Sequence, residues 1–191
     1  MSPKSAIQNQ EIRAESKRKI LDAAFKLIAK DGYESTSIAK IAKEAEVSKG
    51  LLYNYFNSKE DMVKVMLEEA LDEGDVLISG LLSDDPKETI RNVFQWFFRE
   101  IRERLDYWRL ITQLTFNIEK FKFVQELAAN KMGEYIRLMQ SLLNQLGYEN
   151  PLNEARIIAA LFDGIGVEVL VLKEQYPLDE MEAYLIEKYC K

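Results

Sequence analysis

Hydroxyl and ammonium groups crowd into one short run, Ser48-Lys49-Gly50-Leu51-Leu52-Tyr53-Asn54-Tyr55, with Lys59 just beyond it. Upstream, Thr36-Ser37 offers two more hydroxyls. The chemistry these groups share is hydrogen bonding to phosphate oxygens and to the edges of bases. Lys49 is a donor for guanine or a phosphate. Gly50 lets backbone approach a groove, Leu51 can touch a thymine methyl, and Asn54 lies in the same run. Tyr53 and Tyr55 are long enough to anchor phosphates, and Lys59, at a helix start, suits another. A hydroxyl at Thr36 or Ser37 can join backbone N–H groups on a phosphate. Packing competes with contact at two positions: Tyr53 can instead pack beneath the unit, and for Tyr55 both roles are equally open. Leu52 and Phe56 fall on the apolar side and belong to a core.

These groups act together only if two short helices present them. Ile38, Ile41, Ala42 and Ala45 recur at helical spacing after a capping Thr36 or Ser37, and Leu51, Leu52 and Phe56 follow a capping Ser48. Two short helices across a tight turn are the build of a helix-turn-helix, whose second helix enters the major groove. Ahead of them, Ile20/Leu21, Ala24/Phe25 and Leu27/Ile28 mark a first helix from about Glu15, stopped by Gly32. Residues 1–14 lack periodicity and read as a mobile arm. A fourth helix starts at Ser58, with Asp61 as capping-box partner, and runs to about Leu82.

Beyond it, Ser83-Asp84-Asp85-Pro86 is the best boundary in the chain. Asp85 caps, Pro86 suits the first turn, and Glu88 completes a box. Ile90, Val93/Phe94, Phe97/Phe98 and Ile101 then form a strong stripe. Further helices are expected over Tyr107–Asn117, 121–146 (stopped by Gly147), from Asn150-Pro151 to about Gln175, and 178–189. The total is about nine helices with no strand, an all-α chain. The expected division is an arm (1–14), a three-helix DNA-binding domain (15–60), a connecting helix (61–82) and a C-terminal helical domain (83–191).

Composition closes several functional classes. The 191 residues contain no histidine and one cysteine, Cys190. No Ser-His-Asp arrangement, histidine-ligated metal site, thiolate cluster or intrachain disulfide can form. No cofactor or metal is expected. The N-terminal residues lack the apolar core of a signal peptide, and residues 155–172 are interrupted by Arg156, Asp163 and Glu168, so no membrane span is expected. The expectation is a soluble cytoplasmic protein. Net charge is −6, yet residues 1–59 hold eleven Lys and Arg against seven Asp and Glu, a net +4 that leaves −10 for the rest. Such asymmetry directs a polyanion to one end of the molecule.

Over about residues 15–70 the chain resembles the TetR family of bacterial transcriptional regulators. The resemblance rests on Ala23-Ala24-Phe25-x-Leu27-Ile28, Asp31-Gly32-Tyr33, Thr36-Ser37-Ile38-x-x-Ile41-Ala42, Val47-Ser48-Lys49-Gly50-x-Leu52-Tyr53-x-Tyr55-Phe56 and Ser58-Lys59-Glu60. It implies a two-domain all-helical subunit, a homodimer, and DNA release on binding a small molecule in the C-terminal domain. Two departures stand out. Glu46 occupies a turn where the family frequently has glycine, and Ala39 stands where many members carry a charge.

The C-terminal part concentrates Trp96, Trp108, Phe116, Phe121, Phe123 and Phe162. Trp96 and Trp108 lie off their helices' apolar stripes, which suggests aromatic walls of a small-molecule pocket, with Phe116, Phe162 and polar contacts from Thr112, Gln113 and Asn117. An apolar or amphipathic effector follows. Residues 157–172 are apolar nearly all round, so that helix is buried on more than one side. The resemblance pairs the last two helices with their symmetry mates, giving Phe162, Gly164, Ile165, Val169, Leu172 and Tyr184 as interface residues. A twofold dimer would place its reading helices about 34–36 Å apart on a roughly palindromic operator. The leading reading is a ligand-released regulator, most often a repressor. The alternatives are a ligand-independent architectural DNA-binding protein and a carboxylate enzyme built around Asp163 and Glu168.

Overall fold

The computed structural model describes residues 6–116 and 122–190, and among them all regular structure is helical. Two compact units meet between Asp72 and Glu73. That division falls inside a helix, because the first turns of the connecting helix bury Met62, Val63, Met66 and Leu67 with the N-terminal unit.

The N-terminal unit holds α1 (Ala6–Asp31), α2 (Ile38–Glu44), α3 (Lys49–Tyr53) and the start of α4 (Lys59–Ser79). Its core is Ile20, Ala24 and Ile28 of α1, Ile41 of α2, Leu52 and Phe56 around α3, and Met62 and Val63 of α4. Helix α1 begins at Ala6, so residues 6–14 are helical and not the expected arm. Their sequence has no apolar stripe to find, but a Glu15–Lys19 pair at 2.8 Å supports the following turn. Residues 1–5 of the expected arm lie outside the described residues. A Lys17–Glu69 ion pair at 2.6 Å ties α1 to α4.

The second unit contains α5 (Pro86–Glu103), α6 (Leu105–Phe116), α7 (Lys122–Gln145), α8 (Pro151–Leu172), a 3-10 turn (Lys173–Gln175) and α9 (Leu178–Tyr189). Asp85 caps α5 by accepting from the Lys87 N–H at 2.9 Å, with Pro86 in the first turn. Glu88 does not close the expected box; it accepts instead from the Ser83 hydroxyl. The α5 stripe Ile90, Val93, Phe94, Phe97, Phe98 and Ile101 is buried against α7 and α9, and α7 packs along α8. Phe97 is the hub: Phe162 of α8 stacks on it at 3.9 Å, and Trp108 of α6 meets it edge-on at 5.4 Å. Arg102 of α5 pairs with Asp179 and Glu182 of α9 at 2.5 and 2.6 Å.

The two glycines of α8 have different surroundings. Gly166 is buried, and a methyl there would sit 3.3 Å from Cε3 of Trp108, so its absence lets α6 lie close on α8. Gly164 is exposed, and a methyl there would have nothing within 4 Å. Trp108 is held between Phe97 and Gly166 and has little room to yield. Gly166→Ala is therefore expected to lose about 1–2 kcal/mol despite its better helix propensity. A lower denaturation midpoint in urea is the expected outcome; a raised midpoint contradicts this packing.

Candidate functional site

The α2–turn–α3 unit is fixed by caps. Ser37 accepts from the Lys40 N–H at 3.3 Å, and Ser48 accepts from the Leu51 N–H at 3.1 Å. Both serines are exposed, as are Lys49, Gly50 and Asn54, while Tyr53 is 54% exposed. Leu51 is half-buried. Leu52 and Phe56 anchor the other side of the segment in the core. Tyr55 is half-buried, its ring 6.3 Å from that of Phe56, so packing takes at least part of this side chain. The outward surface is thus a row of donors: Ser37 at the start of α2, then Ser48, Lys49, Tyr53 and Asn54 along α3.

Two residues expected on that surface are engaged inside the unit. Thr36 is 1% exposed, and its hydroxyl donates to the Gly32 carbonyl at 2.8 Å, which closes the end of α1. Its hydroxyl is therefore not a phosphate donor. The Lys59 ammonium donates to the Tyr33 and Thr36 carbonyls at 2.6 and 2.9 Å and lies 3.9 Å over the Tyr33 ring. Burial lowers its pKa from the usual lysine value. Lys59 is thus a staple between the α1–α2 loop and α4, with one of its three donors left over. Both roles depend on the path of the 32–36 loop, which side-chain type alone does not reveal.

The α2–α3 turn has the strain its sequence suggests. The Glu46 N–H donates to the Lys43 carbonyl at 3.2 Å and the Val47 N–H to the Ala42 carbonyl at 2.9 Å, the Schellman pattern. Glu46 takes the left-handed position with φ 56°. After α7 the same pattern recurs with a glycine: Gly147, φ 79°, donates to Asn144 and Tyr148 donates to Leu143. A residue with a Cβ in this region costs about 1 kcal/mol. Asp61 N–H donates to Ser58 Oγ at 2.9 Å, and Asp61 in turn accepts from the Asn57 N–H at 2.8 Å, one residue earlier than the expected box.

The described residues of the expected pocket lie on three helices of the second unit, α5, α6 and α8. Phe162 is half-buried in the stack on Phe97 and edge-on to Phe94 at 5.6 Å. Trp96, Trp108, Thr112 and Gln113 are half-buried on α5 and α6. The indole Nε1 atoms of Trp96 and Trp108 are out of reach of solvent and have no hydrogen-bond partner. A buried donor left this way costs about 1–3 kcal/mol. Phe116 closes α6 with only its backbone described, and Asn117 and Phe121 lie outside the described residues.

Of the expected interface residues, Ile165 and Val169 are buried in the unit's own core, and Phe162 is in its aromatic stack. For these three the outward-facing expectation is corrected: α8 is apolar all round, so composition alone could not assign its faces. Gly164, Leu172 and Tyr184 are exposed. Asp163 is exposed beside Gly164, with partial desolvation raising its carboxyl pKa. No cluster able to hold a metal occurs among the described residues, and no helix there is long and apolar enough to cross a membrane.

Replacing Glu46 with glycine removes the left-handed strain at the turn. Glu46→Gly is expected to stabilise the fold by up to about 1 kcal/mol, the gain being reduced by glycine's larger unfolded-state entropy. A urea titration reads this as a higher midpoint; a lower one would show that the glutamate side chain contributes more than its backbone costs.

Residues 20–66 match the family model described as bacterial regulatory proteins, tetR family. The chain is 41% identical over 71 residues to the HTH-type transcriptional regulator HbdR of Aromatoleum sp. (strain CIB), covering 37% of this chain and 31% of that protein's length. It is 28% identical over 176 residues to an uncharacterized HTH-type regulator in the lacX 3' region of Lactococcus lactis subsp. lactis, covering 88% of both chains. Among solved structures, a putative transcriptional regulator from Saccharomonospora viridis in complex with choline superposes with a TM-score of 0.80 at 23% identity, over 91% of this chain and 95% of that one. The matched segment spans the donor row, so residues 20–66 are a DNA-binding segment of the tetR type, and the chain shares the fold of the S. viridis regulator over nine-tenths of its length.

Proposed function

We propose that the protein is a cytoplasmic homodimeric repressor that binds a roughly palindromic operator through α2–α3 and releases it when a small effector enters the second unit. The observation that carries the reading is the outward donor row Ser37, Ser48, Lys49, Tyr53 and Asn54 on a segment whose other side is locked by Leu52 and Phe56. Groups held this way can reach phosphates and base edges without reordering the backbone. The net +4 over residues 1–59 supports the same direction of approach. The choline complex of the S. viridis regulator supports a small-molecule role for the helical second unit, with the effector of this chain to be found by experiment.

Dimerisation is supported by α8. Ile157, Ala160, Gly164, Val167 and Val171 recur at three- and four-residue spacing and are all exposed, Ile157 at 48% and Val171 at 72%. A second apolar face of this length calls for a partner helix, and Gly164 leaves space for one. Tyr184 of α9, 59% exposed, extends the surface. Because the face is self-complementary, the fitting partner is a second copy related by a twofold axis.

Selection from random duplex DNA should enrich a palindrome bound with steep salt dependence. Lys49→Ala combined with Tyr53→Phe should weaken that binding at least about tenfold without changing helicity or mass. Unchanged affinity in the double variant, or no enrichment from the folded, effector-free protein, contradicts the DNA surface.

Gly164→Arg should leave the subunit folded, since open space receives the side chain, while light scattering reports a monomer. Operator affinity should then fall about a hundredfold or more with loss of the second contact. A dimeric mass in this variant would rule out the α8 face.

A further inference from the structure

Helix α4 runs unbroken from Lys59 to Ser79, across the division between Asp72 and Glu73. Its first turns are fixed by buried Met62, Val63, Met66 and Leu67. No α4 side chain after Leu67 is buried: over 71–79, Leu71, Gly74, Asp75 and Ile78 are half-buried and the others are exposed. Burial of an apolar face is what usually fixes a helix on its domain. In these last turns that task falls to a thinner, polar contact.

The contact is with α7. The Lys131 ammonium donates to the Asp75 carboxylate of α4 and, at 2.9 Å, to Glu134 on its own helix. Its side chain is 18% exposed, so the link to Asp75 is screened less than a fully open surface pair. Hydrogen bonds to Asp75 and Glu134 raise the Lys131 pKa, which keeps the group charged. One turn along α7, the Tyr135 hydroxyl comes within 3.9 Å of where a methyl on Gly74 would stand. Lys131 and Tyr135 therefore form a seat for Gly74-Asp75. Further along the same helix, Met139, Leu142 and Leu143 belong to the core shared with α5 and α8. Helix α7 joins that core to the seat.

An ammonium with acceptors on two helices can give one up without being left unpaired. When Lys131 loses Asp75 it keeps Glu134, so the seat can open for little more than the loss of one partly exposed ion pair. We propose that Lys131 is a positioning residue for DNA binding: paired with Asp75 it pins the last turns of α4 to α7, and paired with Glu134 alone it frees them. This rests on the reading of the protein as a DNA-binding regulator. Because α4 is one helix, a change at its last turns is carried to the turns that belong to the N-terminal unit. A ligand acts through the seat only by favouring one of the two pairings over the other.

The test measures the affinity of full-chain variants for the duplex that the wild type selects, by fluorescence anisotropy at fixed salt, with helicity recorded alongside. Lys131→Gln and Asp75→Asn should each weaken operator binding about three- to tenfold. The two variants change net charge in opposite directions, so a general attraction of DNA to positive charge would move them oppositely; loss in both marks the pair. The exchange of Asp75→Lys with Lys131→Asp should restore affinity to within about twofold. Glu134→Gln removes the alternative acceptor and should bind at least as tightly as the wild type. Wild-type affinity in both single variants, opposite changes in the two, no rescue by the exchange, or a loss in Glu134→Gln equal to that in Asp75→Asn overturns the inference. Should a single variant fail to fold, Glu134→Gln and the exchange still decide it. A wild-type protein that selects no duplex overturns the regulator reading and this role with it, whereas a selected operator bound equally by every variant removes only the role of Lys131.

Discussion

Each helix leaves backbone N–H groups at its start and carbonyls at its end without an intrahelical partner, and how these groups are closed governs the N-terminal unit. The helices there are short, α2 having seven residues and α3 five, so the ends outweigh the middles. Ser37 and Ser48 cap the starts. Thr36 closes the end of α1, and Lys59 gathers the Tyr33 and Thr36 carbonyls at the start of α4. At the α2–α3 turn the same requirement overrides residue preference: the two Schellman hydrogen bonds hold Glu46 left-handed where glycine would sit without strain. With these ends closed, Leu52 and Phe56 are held inward and the donors of α3 outward.

The second unit is organised by apolar surface. One side of α5 is buried along its whole length, and Phe97 sits where α5, α6 and α8 come together. Gly166 lets Trp108 lie against α8. Helix α8 then has work on two sides: Ile165 and Val169 fill the core, while Ile157, Val167 and Val171 remain outside. The subunit core holds two indole donors without acceptors, and the helix beside it has an uncovered apolar face.

Local pattern made much of this legible. The serine caps, the Asp85-Pro86 start of α5 and the burial of Ile90 to Ile101 each depend on residues close in sequence, and the helices follow the expected order. The strained turn could also be read, because an L-residue stood at a glycine position. Legibility failed where the deciding partner is distant or where pattern is missing. Nothing in the type of Thr36 or Lys59 shows that the 32–36 loop engages them. The first turns of α1 are polar all round, and α8 is apolar all round, so neither has a phase that distinguishes one face from another. The resemblance places Ile165, Val169 and Phe162 at the interface together with Gly164, and only the packing of α8 on α6 and α7 distinguishes them from it.

The most direct test of the central claim, that the outer face of α2 and α3 reads DNA, is amide chemical-shift mapping of the full chain on addition of its selected duplex. The expected result is a compact set of large shifts at Ser37 and over residues 48–54, with the Gly32–Thr36 loop moving less because its groups are already bonded within the unit. Shifts concentrated on α1, or on the second unit with residues 48–54 unmoved, would contradict it.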